Sequence, residues 1–372
     1  FPPGRRIRAL VIDDSVVVRK ILTTALSRDP DIEVVGYATN GRLALARIDQ
    51  LKPDLITLDV EMPEMDGLET LRQIRRTDPN LVVIMCSTLT ERGASTTLDA
   101  LLYGANDYIT KPTNSPSLEN SIDTLGRELT RTIHQFFVLH RTAPSAAPLP
   151  TPAPAPSPVP AAAQQHAPAP RRHTEPPRVL AIGISTGGPA ALSRILPQIP
   201  RDFPLPIVIV QHMPTVFTRL LAERLDQLSS IQVREAAPGD PLRPGAALVA
   251  PGDFHLLFRR SGSAVTAILD QSPPINFCRP AVDATFRSLA DCYGGAVLAA
   301  ILTGMGHDGT AGAELLRSKG ARILAQDEAS SVVWGMPGSV VRRGLADSVL
   351  GLDAFVPEIL RITDLQPAGV RA

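Results

Sequence analysis

Short apolar runs alternate with amphipathic segments throughout the N-terminal half of the chain. Runs of this length, separated by apolar residues at helical spacing, predict strands that alternate with helices. Such alternation is typical of a parallel, doubly wound sheet. The predicted strands are Arg8–Ile12, Glu33–Tyr37, Leu55–Leu58, Leu81–Met85 and Asp107–Ile109, and the predicted helices run through Val16–Leu26, Gly41–Leu51, Leu68–Arg75, Ser95–Tyr103 and Leu118–Leu139.

The same alternation resumes after Arg178 and predicts a second, mostly parallel α/β sheet with both faces covered. Its first run, Val179–Ile184, ends in the turn-forming stretch Ser-Thr-Gly-Gly-Pro. Further strands are predicted at Pro206–Val210, Ile231–Glu235, Gly245–Ala250, Phe254–Phe258, Ala264–Leu269, Ala296–Leu302 and Ala321–Ala325, and helices through Val216–Leu228, Asp283–Cys292 and Leu315–Lys319.

A proline-rich segment separates the two halves of the chain. Residues 142–177 are rich in proline and alanine and almost lack large apolar side chains. Such a segment is unable to bury a core, so it is predicted to be a semi-rigid, polyproline-biased linker. The predicted organisation is one domain over residues 5–128 with a last helix to about residue 140, the linker over 142–177, and a second domain over 178–366.

Composition narrows the functional classes. The chain has 37 basic and 37 acidic residues, so nothing indicates a nucleic-acid partner. Its three cysteines, Cys86, Cys278 and Cys292, are far apart, which favours a reducing compartment over a disulfide framework or zinc site. No apolar run reaches the roughly 20 residues that span a bilayer. We therefore expect a cytoplasmic protein without direct membrane insertion.

Polar side chains follow the strands of the first predicted sheet. Asp13 and Asp14 follow the first strand, Asp59 the third, Ser87 the fourth and Lys111 the fifth. The carboxyl ends of parallel strands share one edge, so these side chains should lie together. Three converging carboxylates repel one another unless a hard cation such as Mg²⁺ neutralises them. A carboxylate, a divalent cation, an ammonium group and a hydroxyl are what phosphoryl transfer to a side chain requires.

Singly, these residues have simpler interpretations as helix caps, turn residues or solvated side chains. In combination they resemble the receiver domain of two-component response regulators, over about residues 5–128. The resemblance implies a flavodoxin-like (βα)5 fold and a histidine kinase as phosphodonor. It also implies phosphate acceptance by Asp59, Mg²⁺ coordination by Asp13, Asp14, Asp59 and the carbonyl of Glu61, phosphoryl contact by Lys111, and an output switch formed by Ser87 and Tyr108.

Three strand ends of the second half carry a serine, a histidine and an aspartate: Ser185, His212 and Asp308. A serine hydroxyl needs a base within hydrogen-bond reach and a carboxylate to orient that base before it becomes an effective nucleophile. The spacing Gly-x-Ser-x-Gly around Ser185 is also that of a nucleophile elbow. These residues are therefore candidate nucleophile, base and orienting acid.

Alternatives stay open for each residue. Ser185 or Thr186 could cap the helix that follows them, and Asp308 could cap the next one. His212 could be a structural histidine, and His307 could take the place of Asp308. His255 lies within a predicted strand and is better explained as a packed or surface residue. No dinucleotide or nucleotide phosphate motif is present. The chain order serine, histidine, aspartate differs from the serine, acid, histidine order of α/β-hydrolases.

The stretches GISTGGP, QHMP, INFCRPAVDATF and LTGMGHDG resemble the catalytic domain of chemotaxis protein-glutamate methylesterases, over about residues 178–366. The resemblance implies a doubly wound α/β fold and hydrolysis of glutamate γ-methyl esters on the signalling helices of methyl-accepting chemoreceptors, with methanol released and specific glutamines deamidated. It implies no cofactor for the esterase chemistry, and it places Thr186 and Met305 beside the active site as oxyanion support. His307 stands where that family usually has asparagine.

We expect the unphosphorylated first domain to cover the Ser185 edge through the predicted helix Ser95–Tyr103 and the strand before Lys111. Phosphorylation of Asp59 would then uncover it. Two other functions stay open: the same chemistry in a chemosensory pathway unrelated to motility, and a non-enzymatic response regulator whose second half only binds.

Overall fold

Two parallel β-sheets, one in each half of the chain, organise the protein. The computed structural model describes residues 5–88, 90–111, 118–138 and 175–364. The predicted linker lies outside the described residues, apart from residues 175–177, and residues 365 and 366 of the second predicted domain do so too. The domain boundaries therefore stay predictions.

The N-terminal sheet has five strands in the order β2-β1-β3-β4-β5, and every pair is parallel. The strands are largely buried because helices cover both faces, which confirms the predicted doubly wound fold. The elements are β1 (Ile7–Ile12), α1 (Val16–Ser27), β2 (Ile32–Ala38), α2 (Gly41–Leu51), β3 (Leu55–Asp59), α3 (Gly67–Thr77), β4 (Val82–Ser87), α4 (Glu91–Leu102), β5 (Asp107–Thr110) and α5 (Leu118–Val138).

The C-terminal sheet has seven parallel strands in the order β14-β13-β12-β6-β7-β9-β8, and a separate antiparallel hairpin is formed by β10 and β11. The strands are β6 (Val179–Ile184), β7 (Ile207–Gln211), β8 (Gln232–Glu235), β9 (Ala246–Val249), β10 (His255–Ser261), β11 (Ala264–Asp270), β12 (Val297–Ile301), β13 (Arg322–Gln326) and β14 (Ser348–Leu350). The helices are α6 (Gly188–Ile195), α7 (Thr215–Leu228), α8 (Val282–Tyr293), α9 (Thr310–Ser318), α10 (Met336–Arg342) and α11 (Phe355–Ile362).

The strand order creates a switch point beside β6. The chain runs from β6 outward to β7 on one side, and it later returns to place β12 on the other side of β6. Loops diverge at such a point and leave a crevice at the carboxyl ends of the strands, where open α/β sheets bind ligands. The loops after β6, β7 and β12 therefore meet at one place.

The structure differs from the predicted elements in two regions. The second half does not end with the strand at residues 321–325, because α10, β14 and α11 follow it. These elements are three to eight residues long, too short to show a clear period in the sequence. Helix α4 begins at Glu91 instead of Ser95, since the Thr90 side chain caps it by accepting from Gly93 N.

The two halves pack against each other through α4, β5 and α7. The ring of Tyr108 in β5 lies 4.6 Å, centroid to centroid, from the ring of Phe217 in α7, and buried residues of both helices belong to one apolar cluster. Ion pairs join Glu91 of α4 to Arg219 of α7 and Asp99 of α4 to Arg224 of α7. Within the described part of the chain, none of the helices is long and apolar enough to cross a membrane.

The first prediction concerns Gly304, where the loop after β12 passes the loop after β6. A Cβ atom at this position would lie 2.5 Å from Met336 Sδ and 2.7 Å from Ser185 Cβ. We expect Gly304→Ala to lower the free energy of unfolding by about 1–3 kcal/mol, because the added methyl group forces packed loops apart. Thermal unfolding followed by circular dichroism measures the change.

The matched control is Gly351→Ala. The nearest atom to a Cβ atom there is 3.4 Å away, an ordinary contact, and its φ of −62° suits alanine. Its melting temperature should equal that of the unmodified protein. An unchanged melting temperature for Gly304→Ala as well would contradict the close approach of the two loops.

Candidate active site

Ser185 lies in the turn between β6 and α6, at the carboxyl edge of the C-terminal sheet. Its backbone N–H donates to Thr303 O at 3.0 Å, and its carbonyl accepts from Gly188 N at 2.8 Å and from Gln211 Nε2 at 3.0 Å. The N-cap residue of α6 is Gly187, and no side chain caps that helix. The interpretation of Ser185 as a helix cap is therefore wrong, and its hydroxyl is left for another role.

His212 and Asp308 form a buried ion pair at the neighbouring strand ends. His212 Nε2 lies 2.8 Å from Asp308 Oδ2, and the two side chains are 11% and 2% exposed. The backbone N–H of His212 donates to Ile184 O at 3.2 Å, which places His212 beside the last residue of β6. A carboxylate accepts only, so Nε2 carries the hydrogen of this bond and Nδ1 faces the other way.

Four donors hold the Asp308 carboxylate. Besides His212, they are Asn276 Nδ2 at 3.0 Å and the backbone N–H groups of Val282 at 2.6 Å and Asp283 at 3.1 Å. Burial alone would raise the pKa of Asp308, but the hydrogen bonds from His212, Asn276 and Val282 lower it below its ordinary value. Asp308 is therefore held as an anion.

Asp308 caps helix α8, and not helix α9, which directly follows Asp308 in the chain. Helix α9 has Gly309 as its N-cap residue, without a side-chain cap. Helix α8 likewise has none of its own, and its first two N–H groups, those of Val282 and Asp283, donate to Asp308. The positive end of α8 thus adds to the stabilisation of the Asp308 charge.

The imidazole of His212 has a second neighbour, Cys278, whose Sγ lies 3.6 Å from Nδ1. Burial lowers the pKa of His212, but the hydrogen bonds to Asp308 and Cys278 and the charges of both groups raise it to about 9. In this arrangement the imidazole is protonated at neutral pH. Among the described residues, no hydrogen bond joins the Ser185 hydroxyl to His212, although both line the same cavity. Such bonds are often formed only when substrate is present.

That cavity lies between the two halves and has a volume of about 890 Å³. Ser185, His212 and Met305 line it from the C-terminal half, and Asp107 and Tyr108 line it from the N-terminal half. The first domain therefore borders the Ser185 edge, as the sequence led us to expect. The expected covering segments, α4 and β5, contact the second half, and Arg127, Glu128 and Arg131 of α5 line the cavity as well.

Thr186 carries a direct hydrogen bond between the halves. Its Oγ1 donates to Asp107 Oδ2 at 2.8 Å, and its carbonyl accepts from Thr303 Oγ1 at 2.9 Å. Burial and the nearby charge of Glu128 raise the pKa of Asp107 to about 6, against the lowering effect of the hydrogen bonds from Tyr108 N and Thr186. The residue beside the candidate nucleophile is thus tied to β5 of the N-terminal half.

The polar residues of the N-terminal sheet meet at its carboxyl edge. Lys111 Nζ lies 2.7 Å from Asp59 Oδ1 and 2.8 Å from Asp13 Oδ2. Burial and the charge of Asp13 raise the pKa of Asp59 to about 6, and the hydrogen bond from Lys111 opposes this. One ammonium group thus balances two buried carboxylates only in part.

This cluster fits a hard divalent cation. Carboxylate oxygens of Asp13, Asp14 and Asp59 all lie within 4.8 Å of one another. Asp13 Oδ2 is buried and, apart from its ion pair with Lys111, has no hydrogen-bond partner among the described residues. Closely spaced carboxylates that one ammonium group balances only in part are ligands that Mg²⁺ would satisfy, and oxygen ligands are those it prefers.

The remaining predicted residues of this half lie around the cluster. The backbone of Glu61 adjoins it, since Glu61 N donates to Asp59 Oδ1 at 3.4 Å. Ser87 is buried at the end of β4 and donates to Thr88 O at 3.1 Å. Tyr108 points its ring at Phe217 of the other half. The structure thus links the strand before Lys111 to α7.

Two other histidines are excluded from the site. His255 is buried, accepts from Ala281 N at 3.2 Å and lies 3.2 Å from Pro273 O, so it is a packed structural residue, as expected. His307 is exposed, and Asp308, not His307, contacts His212.

Sequence reasoning missed four residues that surround the site: Asn276, Cys278, Asp283 and Asp107. Asn276 Nδ2 also donates to Asp283 Oδ2 at 3.0 Å and so separates two carboxylates. Asparagine readily adopts positive φ and forms tight turns, so it was a detectable turn signal in INFCRPAVDATF. The approach of Cys278 to His212 and that of Asp107 to Thr186 had no local signal, because each joins distant parts of the chain.

Comparisons with known proteins show similarity over both halves of the chain. The chain matches the family models of the response regulator receiver domain, over residues 9–123, and of CheB methylesterase, over residues 180–359. A protein-glutamate methylesterase/protein-glutamine glutaminase of Nocardioides sp. is 50% identical over 363 residues, 96% of this chain and 95% of that protein. A protein of the same name from Trichodesmium erythraeum is 49% identical over 362 residues, 96% of this chain and 99% of that protein. The crystal structure of the Thermotoga maritima CheB methylesterase catalytic domain is 45% identical and covers 50% of this chain and 98% of its own, with a TM-score of 0.49.

The similarity spans both halves and their order, since the relatives align over nearly their full length. The candidate residues Ser185, His212 and Asp308 all lie within the second matched region. The chain therefore belongs to the CheB methylesterase family, as a member in which a response regulator receiver domain precedes the methylesterase domain.

Proposed function

We propose that this enzyme is a phosphorylation-activated serine hydrolase that demethylates glutamate γ-methyl esters of chemoreceptors and deamidates specific receptor glutamines. The observation that carries the proposal is the 2.8 Å contact between His212 Nε2 and Asp308 Oδ2 in one cavity with Ser185. A domain that only binds has no need of such a buried pair beside a serine, which disfavours the non-enzymatic alternative.

Catalysis begins at Ser185. Its hydroxyl attacks the ester carbonyl, and His212 accepts the proton on Nδ1 because Nε2–H is engaged by Asp308. The negative charge on the former carbonyl oxygen develops near the start of α6, whose N-terminal N–H groups and dipole favour an anion. Thr186 and Met305 flank this position as oxyanion support.

Release of methanol completes the first half of the reaction. His212 donates its proton to the departing methoxide oxygen, which leaves a glutamyl ester on Ser185. Water then attacks that ester with His212 again as base, and Ser185 leaves with a proton. With a receptor glutamine the leaving group is ammonia and the remaining steps are the same.

Phosphorylation of Asp59 controls access to Ser185. A histidine kinase provides the phosphoryl group, and Asp13, Asp14, Asp59 and the Glu61 carbonyl would hold Mg²⁺, which offsets the charge on the phosphoryl oxygens when bound. Lys111, now paired with Asp59 and Asp13, would turn to the new phosphoryl oxygens. The shift passes along β5 to Tyr108 and Asp107, the residues that contact Phe217 and Thr186. Separation of those contacts uncovers Ser185.

The central prediction tests nucleophile and phosphoacceptor together. Ser185→Ala should lower the kcat for methanol release from methylated receptor fragments by at least about 10⁴-fold, because no other group supplies the attacking oxygen. Asp59→Asn should keep the basal rate and lose its stimulation by a small phosphodonor. Methanol release is measured with and without phosphodonor. Retained esterase activity in Ser185→Ala would refute the assignment of the nucleophile.

The pH dependence offers a second test. His212 acts as a base only when neutral, so kcat/KM should rise with pH toward the His212 pKa of about 9. The contact with Cys278 contributes to that high pKa. Cys278→Ala should therefore shift the rising limb of the pH profile to lower pH, whereas Cys278→Ser, which keeps a hydrogen-bond acceptor, should shift it less. If the rising limb of the profile lay at the same pH in the unmodified enzyme, Cys278→Ala and Cys278→Ser, then Cys278 would not set the pKa of His212.

The contact between the halves offers a third test. Arg219→Ala combined with Arg224→Ala removes both ion pairs to α4. Each partly exposed pair contributes about 0.2–1 kcal/mol, so loss of both should raise the basal activity of the unphosphorylated enzyme about two- to thirtyfold, and phosphodonor stimulation should fall by a similar factor.

The control for that test is Arg361→Ala, which breaks a partly exposed ion pair with Glu358 inside α11. It should leave the basal activity unchanged. Equal basal rates in the double variant and the control would mean that these ion pairs do not hold the closed arrangement.

A further inference from the structure

A two-residue turn stands at the edge of the active site. Ile275 and Cys278 exchange two backbone hydrogen bonds, of 3.1 and 2.9 Å, so Asn276 and Phe277 form the tip. Their φ angles are 53° and 64°. Positive φ at both central residues is the type I′ arrangement, in which asparagine is favoured at the first position and glycine at the second.

Asn276 suits its position, but Phe277 does not. Asn276 turns inward and donates to Asp308 and Asp283. A bulky aromatic residue with positive φ is a genuine backbone outlier, and such outliers concentrate at functional sites. Glycine would form the same turn without strain. The turn alone therefore does not explain why a phenylalanine is present.

Packing does not explain Phe277 either. Its side chain is 91% exposed, the highest value among the large apolar residues that the structure describes as exposed. It lines the cavity that contains Ser185 and His212, and it remains exposed while the N-terminal half is docked. Its chain neighbour Cys278 lies 3.6 Å from His212 Nδ1. The ring is therefore presented to solvent at the edge of the cavity that contains Ser185 and His212.

We propose that Phe277 is a substrate-recognition residue that packs against an apolar side chain of the receptor, close to the modified glutamate. This inference rests on the proposed function. Residues three or four positions apart on a helix share a face and lie about 5–6 Å apart. A helical receptor segment with its methylated glutamate at Ser185 therefore presents a side chain of the neighbouring turn to Phe277. Rigid aromatic side chains commonly supply most of the affinity at such contacts.

The test compares two substrates in the presence of phosphodonor. One is a water-soluble helical receptor fragment that carries glutamate γ-methyl esters, and the other is N-acetylglutamate α-amide γ-methyl ester, which is too small to reach the ring. Phe277→Gly should lower kcat/KM for the fragment by about tenfold or more, mainly through KM, and its loss on the small ester should be several times smaller. Its melting temperature should not fall, because glycine relieves the strained turn. Phe277→Tyr, which keeps the ring, should restore the fragment KM.

The control is Val349→Ala, which removes an exposed apolar side chain from β14, away from the cavity. It should affect the two substrates equally. Equal losses on both substrates in Phe277→Gly, or no loss on either, would overturn the assignment of Phe277. Absence of methanol release from both substrates by the unmodified protein would instead refute the proposed function.

Discussion

The structure of the catalytic half depends on keeping one buried carboxylate ionised. Asp308 is 2% exposed, and an isolated charge in such a place is very costly. The chain satisfies it from three directions: an imidazole from the end of β7, an amide from the turn at Asn276, and the first two N–H groups of α8. No side chain at the N-cap position of α8 accepts from its first N–H groups. The Asp308 carboxylate therefore satisfies these donors, and they in turn stabilise its charge. Fold and catalytic geometry are therefore stabilised by the same contacts, and removal of the carboxylate affects both.

A half-buried carboxylate, Asp107, lies at the contact between the halves, and there the uncharged form is favoured. Its pKa is raised from its ordinary value of 3.8 to about 6 in the closed arrangement. The closed form therefore binds the proton more tightly than a solvated Asp107 does, so acid favours closure and the charged carboxylate present at neutral pH weakens it. The other contacts between the halves include one hydrogen bond, two partly exposed ion pairs, one aromatic contact and the apolar packing of α4 against α7. Opening of this arrangement therefore exposes apolar side chains as well as breaking polar contacts.

The sequence predicted both sheets and the principal site residues for one physical reason. In a parallel sheet all strands end at the same edge, so polar residues that directly follow strands, such as Ser185 and His212, must converge. Contacts made by loops, or between the two halves of the chain, follow no such rule. Asn276 reaches Asp308 from a loop 32 residues away, and Asp107 reaches Thr186 from the other half of the chain, 79 residues away. Hydrophobic periodicity describes local structure and carries no information about either contact. Asp308 lies beside His212, as predicted, but the helix that it caps is α8. The sequence suggests α9 instead, because α9 is the helix that directly follows Asp308 in the chain.

The turn Ile275–Cys278 joins recognition to catalysis within four residues. Its two backbone hydrogen bonds fix the relative directions of Asn276, Phe277 and Cys278. The first holds Asp308, the third contacts His212 Nδ1, and the exposed ring lies between them in sequence. The turn therefore places the residue proposed for recognition between a residue that holds the Asp308 carboxylate and one that contacts the His212 imidazole. A substrate that packs against the ring is bound next to the His212–Asp308 pair, whereas a free ester lacks this contact.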